Sequence, residues 1–413
     1  MERTVLHSDL NNFFASVECT LNPALRGHPV AVAGNPEIRH GIVLAKNYEA
    51  KRFGVQTGEA LWQARQKCPD IIFVPPHYDK YIEYSDAVRS IYGEYTDQVE
   101  PYGLDECWLD VTGSVRLFGD GVSIADDIRR RIKRELGVTV SVGVSYNKIF
   151  AKLGSDMKKP DATTLIDREH FREKIWSLPA ADLLYIGRST AKKLSLYGIK
   201  TIGDLACASE ELLALLLGKN GLMLHRFANG LDTSPVGLAD SSPPVKSISC
   251  GNTASRDLVS DDDVKIMLIT LSEKVSERLR EKGFLCRTVQ LQVRTFDLAS
   301  YVRQIKLTHP CRTAREIFEA AFSLYKKNHP KGTPSRSLSV GACDLICDCG
   351  EQFSFDPDIE RIQRRENLEA ARDSLCKKYG SGIITRGLVM TDSALCTVNL
   401  KNTPGILPGR MEM

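Results

Sequence analysis

No apolar run in this 413-residue chain reaches the roughly 18–20 residues that cross a bilayer, and no signal-peptide pattern opens it. The expectation is a cytoplasmic protein with no membrane association. Strong net charge is also missing. The formal balance is only +3, so any surface for a polyanion must be local. Paired cysteines are missing too. Twelve are scattered singly from Cys19 to Cys396, as reduced, buried thiols are. The one cluster, Cys343, Cys347 and Cys349, has no second half at zinc-ligand spacing. What remains is ordinary: 42% hydrophobic and 26% charged residues. The chain is too long for one simple core, so several domains are expected.

The chemistry gathers on two short stretches. Tyr102-Gly103-Leu104-Asp105-Glu106-Cys107-Trp108-Leu109-Asp110-Val111-Thr112 places two adjacent carboxylates between β-favouring runs, Val99–Tyr102 and Cys107–Val111. A hairpin would put Asp105 and Glu106 at its turn. Side by side they repel unless a cation lies between them. A solvated acidic turn is the ordinary outcome for an isolated Asp-Glu pair. A third carboxylate changes the odds. Thr4–Ser8 reads as a buried strand ending at Asp9, and helical spacing begins near Asn12. Asp9 alone would be a helix cap. With Asp105 and Glu106 it makes a set able to hold two hard cations about 3.5–4 Å apart, the arrangement suited to phosphoryl displacement.

Asp9-Leu10-Asn11-Asn12-Phe13-Phe14-Ala15-Ser16-Val17-Glu18 and the Tyr102–Thr112 stretch resemble the two metal-binding motifs of the Y-family DNA polymerases, in the DNA polymerase IV and UmuC-like branch. A third match is Ser145-Tyr146-Asn147-Lys148-Ile149-Phe150-Ala151-Lys152, followed by Lys159-Pro160. Matches run in the family's order over roughly residues 4–350. The resemblance implies an α+β multidomain fold: a ferredoxin-like palm (1–10 and 74–166), fingers (11–73), a helical helix-hairpin-helix thumb (167–233), a linker (234–245) and an α+β little finger (246–349) that binds DNA. Residues 350–413 would be a tail.

The resemblance also assigns roles. Asp9, Asp105 and Glu106 would be catalytic and, with the Leu10 carbonyl, would hold two Mg²⁺ ions, with Mn²⁺ as a substitute. Phe13, Phe14, Tyr48, Lys51, Arg52 and Lys159 would bind the nucleotide. Phe14 would act as a steric gate against ribose. The family usually has Arg where this chain has Lys51, and a lysine binds phosphate as a point charge rather than a fork. The family's second Asp is Asn11 here. In the thumb, Gly187, Arg188 and Lys192 would touch DNA phosphate, although the usual second glycine is missing. Gln352, Phe353 and Phe355 form a degenerate version of the peptide that docks such enzymes on a sliding clamp.

Local readings fill in the rest. Tyr78–Tyr95 and Ile124–Leu136 read as amphipathic helices, and Ser145 as the cap of the helix that follows it. Residues 246–349 carry 17 Lys and Arg against 12 Asp and Glu, an excess of +5 over the chain's +3. There the resemblance implies an entry strand at Lys246-Ser247-Ile248-Ser249, and we expect helices near 261–282 and 312–328 and two further strands, Thr288–Val293 and Ser335–Leu345. Ile359–Tyr379 reads as a charged helix, Gly382–Met390 as strand-like, and residues after 391 as disordered.

The function implied is error-prone translesion synthesis in DNA repair and the SOS response to DNA damage. Deoxynucleotides from dNTPs would be added to the primer of a primer-template, by a monomer. A nucleotidyl cyclase would use similar carboxylates but needs no helix-hairpin-helix or basic domain. A catalytically weak or silent DNA-binding repair accessory protein is the other alternative, and it predicts loss of a carboxylate that this chain retains.

Overall fold

The computed structural model describes residues 2–34, 41–239, 244–348, 359–380 and 383–395. They fall into two compact units, the first holding residues 2–34 and 42–239 and the second the described residues from 244 onward.

The first unit is built on a five-stranded sheet. Its strand order is Val99–Pro101, Glu106–Asp110, Val5–Leu10, Val140–Ser145, Thr163–Ile166. The first four strands run antiparallel to their neighbours, and the last lies parallel to Val140–Ser145. Val5–Leu10 and Val140–Ser145 are buried at every position; Val140–Ser145 reads as a run of Val with small residues, whereas Val5–Leu10 buries the polar His7 and Asp9 as well. Helix Gly121–Leu136 packs Ile124, Ile128 and Ile132 into the same core as Leu6, Leu109 and Val142. Helix Tyr78–Gly93 adds Tyr81, Val88 and Ile91. A sheet with two such helices meets the ferredoxin-like expectation.

Helix Lys148–Met157 lies close on the sheet because of Gly143. A Cβ there would stand 1.9 Å from the Ala151 carbonyl oxygen. Its cap differs from the expectation. Asn147 Oδ1 accepts from the Phe150 amide at 2.8 Å, and Ser145 is still strand. Asn147 stands immediately before the first turn, where its side chain reaches the free amides, while the Ser145 hydroxyl donates to the Ile166 carbonyl at 2.8 Å.

A three-stranded sheet, Val43–Lys46, Val30–Ala33, Ile72–Val74, carries the short helix Tyr48–Arg52. Short helices from Phe171 to Ala228 form a Leu-rich core with Ile175, Leu194, Ile202 and Leu213 buried, joined by Ile149, Phe150 and Leu153 of helix Lys148–Met157.

The second unit is a four-stranded antiparallel sheet, ordered Ser300–Cys311, Phe284–Thr295, Ser335–Cys347, Ser247–Leu258. Helices Asp261–Glu281 and Ala314–Asn328 share its core. One of these strands was not expected. Ser300–Cys311 is exposed along most of its length, so it carries no apolar alternation.

Helix Ile359–Tyr379 is tied on by ion pairs. Arg280 meets Glu369 and Asp373, and Arg312 meets Glu366. Beyond it the expectation fails. Gly387–Met390 is a helical turn rather than strand, and Leu395 is buried in the core of this unit rather than part of a disordered tail. Val389 supplies the anchor for that turn, 8% exposed. The clamp-like Gln352, Phe353 and Phe355 lie outside the described residues.

Candidate active site

The site begins with strand register. Asp9 pairs directly with Glu106, and the Leu10 amide donates to the Asp105 carbonyl at 2.9 Å. Two antiparallel strands thus bring three carboxylates, far apart in sequence, to one end of the sheet. Burial makes that costly. The Asp105 carboxyl is pushed up to about 6, first by burial and then by its neighbours Asp9 and Glu106.

Cations answer the charge. Lys152 Nζ lies 2.8 Å from Glu106, 3.3 Å from Asp9 and 3.2 Å from Asp156. Lys159 Nζ lies 2.9 Å from Asp9 and 2.8 Å from Asp156. Burial would lower both lysines, but the facing carboxylates outweigh it and raise them. The buried imidazole of His7 stands 3.2 Å from Glu106 and 2.8 Å from the Ser155 hydroxyl. Burial alone would raise Glu106. Its contacts with His7 and Lys152 win and hold it down at about 2.

The helix after Asp9 forms one wall. Phe13 is buried, and both it and Phe14 border a cleft of about 290 Å³ with Asp9, Leu10, Lys46 and Asp105. Tyr48 stands at the edge, its hydroxyl 3.5 Å from Asn11 Oδ1. Asn11 is locked between Ser141 at 2.9 Å and Thr139 at 3.2 Å. Lys51 and Arg52 are exposed on the neighbouring helix and do not border the cleft. Gly187 is the N-cap of helix Arg188–Ser195, and Arg188 and Lys192 are exposed on it. None of the three borders the cleft.

Three contributors escaped sequence reasoning. Lys152 sits inside the third motif, but only the fold shows which way its ammonium points. His7 precedes Asp9 by two residues, so period-2 alternation puts both on one face of the strand. Lys46 ends a strand at the cleft, where it donates to Thr57 at 3.1 Å, and burial together with Lys51 lowers its pKa.

The donors suit a hard divalent cation: carboxylate oxygens in excess, one raised by like-charge crowding. Among the described residues no three His, Cys, Asp or Glu side chains already stand in ligating geometry. Lys152 takes up the space between Asp9 and Glu106 instead.

Comparison with known proteins gives a consistent result. Models described as the impB/mucB/samB family match residues 8–156 and, as its C-terminal domain, 245–355. A model described as the DNA polymerase-iota thumb domain matches 181–232. The chain is 50% identical to a protein named DNA polymerase IV from Acetivibrio thermocellus, over 96% of this chain and 99% of that one. It is 37% identical to the DNA polymerase IV of Moorella thermoacetica, over 95% and 97%. A solved chimera of the Y-family polymerases Dbh and Dpo4 matches with a TM-score of 0.74 at 24% identity, over 83% of this chain and 99% of that one.

Proposed function

The chain belongs to the Y-family DNA polymerases and is a DNA-directed DNA polymerase of the translesion type, and we propose that Asp9, Asp105 and Glu106 carry its chemistry. The carrying observation is the register that pairs Asp9 with Glu106 and ties Leu10 to Asp105 beside a cleft bordered by Phe14.

Asp9, Asp105, Glu106 and the Leu10 carbonyl would together hold two divalent ions, Mg²⁺ with Mn²⁺ as a substitute. Bound there, such ions supply Lewis acidity that activates the primer 3′-hydroxyl and stabilises the pyrophosphate leaving group. The residues do the rest. Lys159, already against the carboxylates, offsets phosphate charge. Tyr48, Lys51 and Arg52 receive the triphosphate from the neighbouring helix. Phe14 meets the sugar, with Phe13 packed behind it in the core. Primer-template DNA lies on the backbone amides at Gly187, on Arg188 and Lys192, and on the basic second unit.

We read 1–10 and 74–166 as palm, 11–73 as fingers, 167–233 as thumb and 246–349 as little finger. The free thiols among the described residues suit a reducing cytoplasm. The enzyme would act as a monomer, and residues 352–356 would contact a sliding clamp. Among the described residues no helix is long and apolar enough to cross a membrane.

Primer extension with each dNTP, on undamaged and lesion-bearing templates, tests the proposal. Template-dependent insertion with Mg²⁺, bypass of at least one lesion and loss of both with chelator are expected. Tight DNA binding without insertion would favour the silent accessory protein.

A further inference from the structure

The polymerase reading leaves a buried acid behind the gate without a role. Glu18 lies on the same helix as Phe14, four residues on, and is only 5% exposed. A carboxylate so placed is costly unless its lone pairs are taken. Two groups take them. The Tyr81 hydroxyl donates to Glu18 Oε1 at 2.5 Å. His77 Nδ1 stands 3.0 Å and 3.1 Å from the two carboxylate oxygens.

Tyr81 is fully buried, and its ring is the floor under Phe14. The two rings stack with centroids 4.1 Å apart and planes 9° from parallel. Tyr78 braces both from the side, edge-on to Phe14 at 5.9 Å and to Tyr81 at 5.8 Å.

A ring that excludes a hydroxyl by overlap works only if it cannot retreat. Phe14 turns about two side-chain torsions and borders open space on its cleft side. On the other side it meets Tyr81. Whether Phe14 yields therefore depends on whether Tyr81 yields, and Tyr81 is held at its far end by one acceptor. A site is selective to the extent that the groups behind the contact are themselves fixed.

We propose that Glu18 is a positioning residue for sugar selection. By holding the Tyr81 hydroxyl it fixes the ring against which Phe14 rests, and His77 holds the carboxylate in place from its more exposed side. This rests on the reading of Phe14 as the gate. A buried acid that served only to stabilise the helix would affect folding and both sugars alike.

The experiment is single-nucleotide incorporation by the full chain on primer-template. kcat and KM are measured for a matched pair of deoxy- and ribonucleotides, with Phe14→Ala, Glu18→Ala, Glu18→Gln and Tyr81→Phe beside wild type. Glu18→Ala should raise ribonucleotide kcat/KM relative to deoxynucleotide by about tenfold, with deoxynucleotide kcat little changed. Glu18→Gln keeps an acceptor oxygen for the tyrosine and should restore discrimination. Tyr81→Phe keeps the stack but loses the tether, and should shift discrimination the same way as Glu18→Ala by a smaller factor.

Folded Glu18→Ala with wild-type discrimination overturns the proposal. So does an equal loss for both sugars. If Glu18→Ala does not fold, Tyr81→Phe decides, and unchanged discrimination there overturns it. Phe14→Ala separates the two levels. If it leaves discrimination unchanged, the gate reading fails and takes this inference with it. If it abolishes discrimination while the Glu18 and Tyr81 variants keep theirs, only the role of Glu18 fails.

Discussion

Lys152 shows how much of the site is a charge balance. Its ammonium lies between Asp9 and Glu106 with only 13% of the side chain exposed. Removing it leaves buried carboxylates facing one another, at a cost on the order of 3 kcal/mol. Lys152→Met should therefore lower the melting temperature measured without divalent metal, and added Mg²⁺ should restore part of the loss. An unchanged melting temperature would mean that Lys152 does not carry the balance. Phe14 makes a separate prediction. Phe14→Ala should accept ribonucleotides while still using deoxynucleotides, because overlap with a ring disappears with the ring. Phe13→Ala should cost stability, about 3–5 kcal/mol for a buried Phe, with sugar choice unchanged. At this scale the carboxylates were legible because each sits in a contiguous stretch with its strand. His7, Lys152 and Glu18 were not, because their meaning lies in partners on other elements.

Elements set where those residues stand. Gly143 lets helix Lys148–Met157, the source of Lys152, come down onto the sheet. Gly143→Ala must push backbone apart rather than bend a side chain. A cost of about 1–3 kcal/mol is expected, with weakened nucleotide insertion as Lys152 moves away from Asp9. A denaturant titration and an insertion assay check both parts. In the second unit, Ser260 and Asp263 form a capping box at helix Asp261–Glu281, and Arg256 pairs with the same Asp263 at 2.7 Å. The Arg256 contact outweighs burial and, with the Ser260 and Val259 amides, holds the Asp263 carboxyl well below its ordinary range. A lowered folded pKa stabilises above the ordinary carboxylate value and is lost as pH falls below it. Asp263→Asn should cost about 0.5–2 kcal/mol at pH 7 and progressively less below about pH 4. Equal loss at both pH values would exclude this linkage. The two helices of this unit were legible near 261–282 and 312–328, close to the observed Asp261–Glu281 and Ala314–Asn328. Strand Ser300–Cys311 was hidden because neither of its faces is apolar enough to alternate.

At the scale of the molecule, the two units have separate cores and part inside a Pro, Ser and Asp rich stretch, a composition legible in advance. The packing of the last segment was not legible, because ion pairs such as Arg280–Glu369 and the burial of Leu395 join residues remote in sequence. The +5 excess over residues 246–349 predicts that duplex affinity falls steeply with salt, and that a chain ending near 239 loses most of it while retaining weak insertion. DNA binding by the shortened chain as tight as that of the whole would refute that role. The central claim is that Asp9, Asp105 and Glu106 act as one metal-dependent unit. Its most direct measurement is primer extension by Asp105→Ala and Glu106→Ala, each alongside a DNA-binding titration. Extension should vanish in both variants while DNA affinity stays at the wild-type value. Extension near the wild-type rate in either folded variant would contradict the assignment.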